Sequence, residues 1–100
     1  MDITKGENWL VRFEWDPRKA VINLRKHRVP FEEAATALQD LLSATAFDPD
    51  HSVDENRFIT FGISNRGRLL VVSHGEESEV IRIISARLAS KNERRIYEEG

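Results

Sequence analysis

Residues 80–87 read Val80-Ile-Arg-Ile-Ile-Ser-Ala-Arg87, and a charged segment follows them as Lys91-Asn-Glu-Arg-Arg-Ile-Tyr97. The first segment is apolar and rich in β-branched residues, which predicts a strand covered on both faces. Two arginines interrupt it, and a guanidinium in apolar surroundings must pair with a carboxylate, reach solvent or hold an anion. Two interpretations therefore stay open: a phosphate-handling surface, or structural salt bridges to Glu14, Glu55 or Glu93.

Strand alternation predicts which side chains of this segment share a face. One face carries Ile81, Ile83, Ser85 and Arg87, and the other carries Arg82, Ile84 and Ala86. The two arginines are thus expected on opposite faces of the sheet.

The other elements follow from alternation, helical spacing and turn residues. Asp16-Pro17 predicts a helix start, and Ser90 with Glu93 predicts a capping box for the last helix. In chain order we expect a strand at 11–15, helices at 16–27 and 31–39, strands at 41–47, 57–64, 68–74 and 80–87, turns at 65–67 and 75–79, and a helix from 90. The fold class is α+β, with an antiparallel sheet of four to five strands, two N-terminal helices packed on it and a C-terminal helix.

The composition suits one domain with one core. The chain has 100 residues, 40% of them hydrophobic and 32% charged. We expect a single domain over residues 1–100, with residues 1–10 flexible. The absence of cysteine excludes disulfides and thiol catalysis and fits a cytoplasmic protein. No apolar run approaches the roughly 18 residues that span a bilayer, and the N-terminus lacks the features of a signal peptide.

The charge is unevenly distributed along the chain. The net charge of −2 argues against tight, non-specific binding of nucleic acid. Residues 18–28 nevertheless carry a concentration of cations, namely Arg18, Lys19, Arg25, Lys26 and Arg28. At the C-terminal end, Lys26 and His27 with Arg25 and Arg28 form a compact basic group that can hold a phosphate backbone, although the helix dipole alone also explains Lys26 and His27.

Three histidines are candidates for proton transfer, because imidazole titrates near neutral pH. His74 ends a predicted strand and His27 a predicted helix, and each can equally be a plain hydrogen-bonding residue. His51 lies among Asp48, Asp50 and Asp54, but the spacing matches neither an EF-hand nor a zinc motif. The sequence therefore predicts no metal site, and it contains no motif for a cofactor.

Several short segments, taken in order, resemble the BrnT family of toxins from bacterial type II toxin–antitoxin systems. The resemblance covers residues 13 to about 97, with Arg28 and Pro30 standing where the family often has Gly and Ser. The matching segments are Phe13-Glu-Trp-Asp-Pro17, Asn23-Leu-Arg-Lys-His27, Phe31-Glu-Glu-Ala34, Asp48-Pro-Asp-His51, Glu55-Asn-Arg57 with Gly62, and Arg82-Ile-Ile-Ser-Ala-Arg87 followed by Glu93-Arg94.

The resemblance implies a RelE-like fold, ribonuclease activity that lowers translation, and neutralisation by a BrnA-like antitoxin with a ribbon-helix-helix DNA-binding domain. It also implies a 2:2 complex, in which DNA is contacted only through the antitoxin. RNA is then the substrate, and no membrane is involved.

A metal-free ribonuclease needs a base for the 2′-hydroxyl, donors for the charge on the phosphate, and an acid for the leaving oxygen. We predict three arginines as donors and three other residues for proton transfer, with a further group binding RNA. The donors are Arg57, Arg87 and Arg82. The proton-transfer candidates are His27, His74 and Glu55, of which Glu55 can instead orient Arg57. The RNA-binding residues are Arg25, Lys26, Arg94 and Tyr97.

Two other functions fit the same residues. The first is a catalytically weak module that binds an antitoxin and acts as a co-repressor, which the acidic pI and the acidic turn at 76–79 favour. The second is a small adaptor protein in which the arginines are purely structural.

Overall fold

A computed structural model describes residues 11–51 and 56–100; Glu55 and the N-terminal segment that we expect to be flexible lie outside these ranges. The elements follow the predicted order and the α+β class. They are β1 (Arg12–Glu14), α1 (Pro17–His27), α2 (Phe31–Leu38), β2 (Ala44–Phe47), a 3-10 turn (Pro49–His51), β3 (Arg57–Ile63), β4 (Leu69–Glu77), β5 (Val80–Leu88) and α3 (Lys91–Glu99).

The described strands form one mixed sheet in the order β1-β5-β4-β3-β2. Strands β2 to β5 pair antiparallel, but β1 runs parallel to β5, with Glu14 opposite Arg82. The prediction of a purely antiparallel sheet is therefore wrong at this edge. A parallel neighbour needs a crossover connection, and here both N-terminal helices and three strands lie between β1 and β5 in the chain.

A β-bulge interrupts the alternation of β5. Ser85 pairs with Ser73, whereas Ile83 pairs with His74, so Ile84 is an extra residue with no counterpart on β4. An extra residue in one strand shifts the side-chain alternation beyond it by one position.

The bulge decides where the two arginines of β5 point. Ile83 and Ala86 both belong to the core under the helices, so Arg82 and Arg87 both lie on the opposite face. The prediction that these arginines lie on opposite faces is wrong, because simple alternation does not include the extra residue.

Helices α1 and α2 cover one face of the sheet, and the core lies between them. Trp15 packs edge-on against Phe31, with ring centroids 5.9 Å apart. Gly62 passes directly beneath α2, where an added Cβ would overlap the carbonyl oxygen of Ala37. The core residues are Val29, Phe31, Ala34, Ala35, Ala37, Leu70, Val72, Ile83 and Ala86.

Hydrogen bonds of buried polar side chains hold the helices on the sheet. The Asn23 amide donates to the carbonyls of Val29 (3.0 Å) and Ala86 (2.8 Å), and its oxygen accepts from the Ala86 N–H (3.0 Å). Glu33 on α2 accepts two bonds from Arg68, so it ties α2 to the segment before β4. The fixed orientation of α1 on β5 follows from the first of these contacts.

The ends of several elements depend on local caps. Asp16 caps α1 by accepting from the Arg18 N–H at 2.8 Å. Arg28 ends the helix in the left-handed conformation, with φ of 62°. The predicted capping box of Ser90 and Glu93 is present at α3.

Two strand boundaries differ from prediction. β2 begins at Ala44 rather than residue 41, because the Asp40 side chain accepts from the Leu42 N–H and holds this segment in a turn. β4 extends to Glu77, so the predicted turn at 75–79 shrinks to Ser78 and Glu79. No described helix has the length and apolar character to cross a membrane.

Candidate functional site

A row of four register positions crosses the sheet on the face opposite α1 and α2. Arg57 on β3 pairs with Gly75 on β4, which pairs with Arg82 on β5, which in turn pairs with Glu14 on β1. Side chains at paired positions of adjacent strands share a face. Because Gly75 has no side chain, nothing on β4 stands between the two arginines. We call these four residues the arginine row.

A small cavity of about 80 Å³ opens beside the arginine row. It is lined by Arg57, Arg82, Lys19 from α1, and Asp16 at the start of that helix, together with Ile83 and Ile84 at the bulge. Its volume is a few times the roughly 30 Å³ share of one water molecule. Three cations from three elements therefore converge on a space suited to one small anion.

A second, larger cavity shares Arg82 with the small cavity as a lining residue. Its volume is about 580 Å³. The other lining residues are Arg12, Glu14, Gly75, Glu77, Ser78 and Val80. We call it the mixed-charge cavity, since arginines and carboxylates both line it.

His74 lies on the opposite face of β4 from the arginine row. It is 1% exposed, its Nε2 is 2.7 Å from the Thr60 hydroxyl, and its ring stacks on Phe58 at 5.9 Å. Glu76 Oε2 lies 3.4 Å from Nδ1, but without hydrogen-bond geometry. Burial lowers the pKa of His74 to about 4, so the ring is neutral near pH 7.

The predicted residues at the end of α1 lie away from the arginine row. Lys19 lines the small cavity, and His27 follows eight residues later, about 12 Å along a helix at roughly 1.5 Å per residue. Arg25 and Lys26 are exposed there and His27 is half-buried. These residues are therefore connected to the arginine row only through the basic surface that continues along α1.

Arg87 is held by a carboxylate. It donates from Nη1 to Glu93 Oε1 (2.8 Å) and from Nη2 to Oε2 (3.0 Å). These bonds lower the pKa of Glu93 to about 2. Arg87 pairs with Val71, four residues from Gly75, which is about 14 Å along a strand. The salt bridge between Arg87 and Glu93, which the sequence analysis considers as one interpretation, is present in the structure.

The predicted RNA-binding residues of α3 also make internal contacts. The Tyr97 hydroxyl donates to the Leu42 carbonyl at 3.0 Å, and its ring stacks on Phe61 at 6.5 Å. Burial, with the nearby charge of Asp40, raises the pKa of Tyr97. Arg94 is exposed, with Nη1 3.5 Å from Glu98 Oε2. The Tyr97 ring, which the sequence analysis assigns to RNA binding, is half-buried against β3.

An apolar groove separates α3 from the β2 edge of the sheet. Its volume is about 600 Å³, and Leu42, Phe61, Ile96 and Tyr97 are among the lining residues. Leu42 is 81% exposed, and the neighbouring Leu41 is 98% exposed. Sequence reasoning missed this groove because both leucines fall within a predicted strand.

Sequence reasoning also missed Lys19 and Glu14 as members of the site. Lys19 resembles the other cations of α1 in the sequence, and its place in the first turn after Asp16-Pro17 is the one signal that sets it near the end of β1. Among residues 11–51 and 56–100, no group of three His, Cys, Asp or Glu side chains is arranged to hold a metal ion.

Comparisons with known proteins concern the family and the fold of the chain. A family model described as "Ribonuclease toxin, BrnT, of type II toxin-antitoxin system" matches residues 15–93. The chain is similar in fold to the ribonuclease toxin BrnT of Brucella abortus, solved at 1.1 Å, with a TM-score of 0.59 and 21% identity over 81% of this chain and 99% of that one. A comparison with curated protein sequences gives no match.

Proposed function

The chain belongs to the BrnT family of ribonuclease toxins of type II toxin–antitoxin systems, and from this we propose that it is a metal-independent endoribonuclease that inhibits translation. A type II system implies an antitoxin partner. We further propose a RelE-like fold and a cytoplasmic site of action, where the RNA substrate is found.

The convergence of Arg57, Arg82 and Lys19 on one small cavity carries this proposal. A phosphodiester seated there lies among three cations and one carboxylate, that of Asp16, before the reaction begins. Fixed donors aimed at developing charge usually lower the barrier of such a reaction more than any other single effect. Arginine stays protonated at any physiological pH, so it stabilises charge and does not transfer the proton.

The proposed reaction is attack by the substrate's own 2′-hydroxyl. The 2′-oxygen forms a bond to phosphorus, the bond from phosphorus to the 5′-oxygen breaks, and the products are a 2′,3′-cyclic phosphate and a 5′-hydroxyl. A base accepts the 2′ proton, and an acid protonates the leaving 5′-oxygen. Arg57 and Arg82 neutralise the charge that builds on the phosphate between these two events.

Of the residues predicted for proton transfer, Glu55 is the one we keep as the proposed base. It precedes Arg57 by two residues in the chain. His74 is buried on the other face of the sheet, and His27 ends α1 away from the small cavity. Arg25 and Lys26 extend the basic surface of α1, along which the RNA backbone is proposed to run.

Cleavage by the purified chain tests the proposal. Wild type should cut RNA in EDTA, and Arg57→Ala and Arg82→Ala should each lower the rate about 10²–10³-fold, the usual loss for one such donor. Arg95→Ala is the matched control, because Arg95 is exposed on α3 and contacts Asn92. Melting temperatures exclude unfolding as the cause. Cleavage that requires a divalent ion contradicts the proposal. An equal loss of cleavage rate in all three variants also contradicts it.

We propose that the antitoxin is BrnA-like, with a ribbon-helix-helix domain that contacts DNA, and that two toxins bind one antitoxin dimer. The apolar groove supports an apolar contact, because Ile96 is 61% exposed and lines the groove together with the exposed Leu42. Light scattering of the co-purified complex measures the stoichiometry. Ile96→Asp should weaken the complex, whereas Arg95→Asp should change it little.

One observation favours the alternative of a catalytically weak co-repressor. Arg87 and Tyr97, both predicted to contact RNA, are engaged within the fold. Induced expression separates the two functions, since an active nuclease arrests growth and a co-repressor only represses its own promoter.

A further inference from the structure

The mixed-charge cavity has the size and chemistry of a binding site for a small polar ring. Its volume of about 580 Å³ lies within the roughly 300–1,000 Å³ of small-molecule sites. It adjoins the small cavity through Arg82, which lines both. A nucleotide whose phosphate occupies the small cavity can therefore place its base in the mixed-charge cavity.

Two carboxylates in this cavity need an explanation. Glu14 and Glu77 are exposed, and within residues 11–51 and 56–100 neither side chain has a hydrogen bond or an ion pair. Next to a phosphate path, an unpaired carboxylate repels the ligand. The repulsion is offset if the carboxylate accepts hydrogen bonds from a base.

Ser78 lines the same cavity and has the left-handed conformation, with φ of 56°. A residue other than glycine is strained there, and glycine is the usual choice at such a hairpin position. Serine adds a hydroxyl that can both donate and accept. The strained position therefore adds a polar group to the lining of the cavity.

Guanine matches this set of groups better than the other RNA bases. Its Watson–Crick edge presents two adjacent donors, N1–H and N2–H₂, which one carboxylate can accept together. Its O6 and N7 are acceptors, to which arginine donates. Adenine, cytosine and uracil each lack the paired donors.

We propose that the mixed-charge cavity holds the guanine base next to the cleaved phosphate. Glu14 and Glu77 accept from N1–H and N2–H₂, and Arg12 donates to O6. The inference rests on the proposed function, since it assigns a base preference to the same RNA site.

Binding of uncleavable RNA tests the cavity independently of catalysis. The probes are 2′-O-methyl pentanucleotides of uridine whose central base is guanine, hypoxanthine, adenine or uracil, and fluorescence anisotropy gives each Kd. Hypoxanthine lacks only the N2 amine of guanine, so wild type should bind it roughly tenfold more weakly. Glu14→Gln with Glu77→Gln should bring this ratio close to one. Glu98→Gln, an exposed change on α3, should leave the ratio as in wild type.

The outcomes separate this inference from the proposed function. If wild type cuts no RNA but binds guanine with the expected ratio, the proposed function fails and the base site stands. If wild type cuts RNA with no preference at guanine and shows equal Kd values, the base site is wrong. The base site is also wrong if the folded double variant keeps the wild-type ratio of the Kd values for hypoxanthine and guanine. This conclusion holds even if the double variant loses affinity for the antitoxin instead.

Discussion

Arg57 and Arg82 lie on the two strands that flank β4, and both pair with Gly75. Two interstrand spacings of about 4.8 Å separate their backbones, and glycine places no side chain of β4 between them. The two side chains consequently line one cavity with Lys19. This arrangement depends on the pairing of three successive strands and on a residue of α1 from much earlier in the chain, and no single motif specifies it.

Glu93→Gln should lower stability in a pH-dependent way. Glutamine preserves the capping box but removes the charge that pairs with Arg87, a loss of about 1 kcal/mol for a partly exposed pair. The pKa of Glu93 is lowered from 4.5 to about 2. The stabilisation is therefore complete above about pH 4.5 and is lost as the pH falls towards 2.

Urea titrations of wild type and Glu93→Gln at several pH values measure this difference. Glu98→Gln is the control, because its pair with Arg94 is exposed and 3.5 Å long. A stability difference that persists unchanged at pH 2 would contradict the assignment of the effect to the ion pair.

His74→Gln should make the chain less sensitive to acid. The pKa of His74 is lowered from 6.5 to about 4 by burial, so the unfolded chain binds a proton that the folded chain resists. Stability from this source is complete above about pH 6.5 and falls by about 3 kcal/mol as the pH approaches 4. Denaturation curves between pH 7.5 and 4 should be flatter for the variant than for wild type, and parallel curves would contradict the assignment of the effect to His74.

Gly62→Ala should be strongly destabilising. The new Cβ would overlap the Ala37 carbonyl, which belongs to α2 and cannot move without shifting the helix. We expect a loss above roughly 3 kcal/mol, in the range of severe core defects. Gly67→Ala is the matched control: its φ is +75° in open space, so the loss should be near 1 kcal/mol. Similar melting temperatures for the two variants would be evidence against close packing at Gly62.

Arg28→Gly should stabilise the chain. Arg28 has φ of 62° at the end of α1, where glycine carries no steric cost, and the gain should be about 1 kcal/mol. The Arg28 carbonyl that accepts from Arg68 is retained. Thermal unfolding with Lys26→Gly as the comparison checks this, since glycine inside the helix should instead destabilise.

Local patterns predict the helices well and the sheet incompletely. Asp16-Pro17 and the Ser90–Glu93 capping box each act within one turn of helix, so the residues themselves carry the signal. The parallel pairing of β1 rests on three residues that meet a strand far along the chain, and alternation contains no information about such a partner.

The candidate site is predictable only in part for the same reason. Arg57 and Arg82 stand out in the sequence as cations in apolar strands, and the structure brings them together. Arg87 meets the same criterion but binds Glu93, because the bulge at Ile84 turns it towards α3. A sequence pattern cannot show an extra residue of this kind.

The Asn23 amide has a further consequence for the edge of the sheet. β1 pairs only with residues 80–82 of β5, so the second half of that strand has no neighbour on this side among the described strands. Asn23 binds both the N–H and the carbonyl of Ala86, as a peptide group of an adjacent strand would. By occupying these groups, one side chain protects an incomplete edge from pairing with another molecule, and its loss would expose the chain to domain swapping and aggregation.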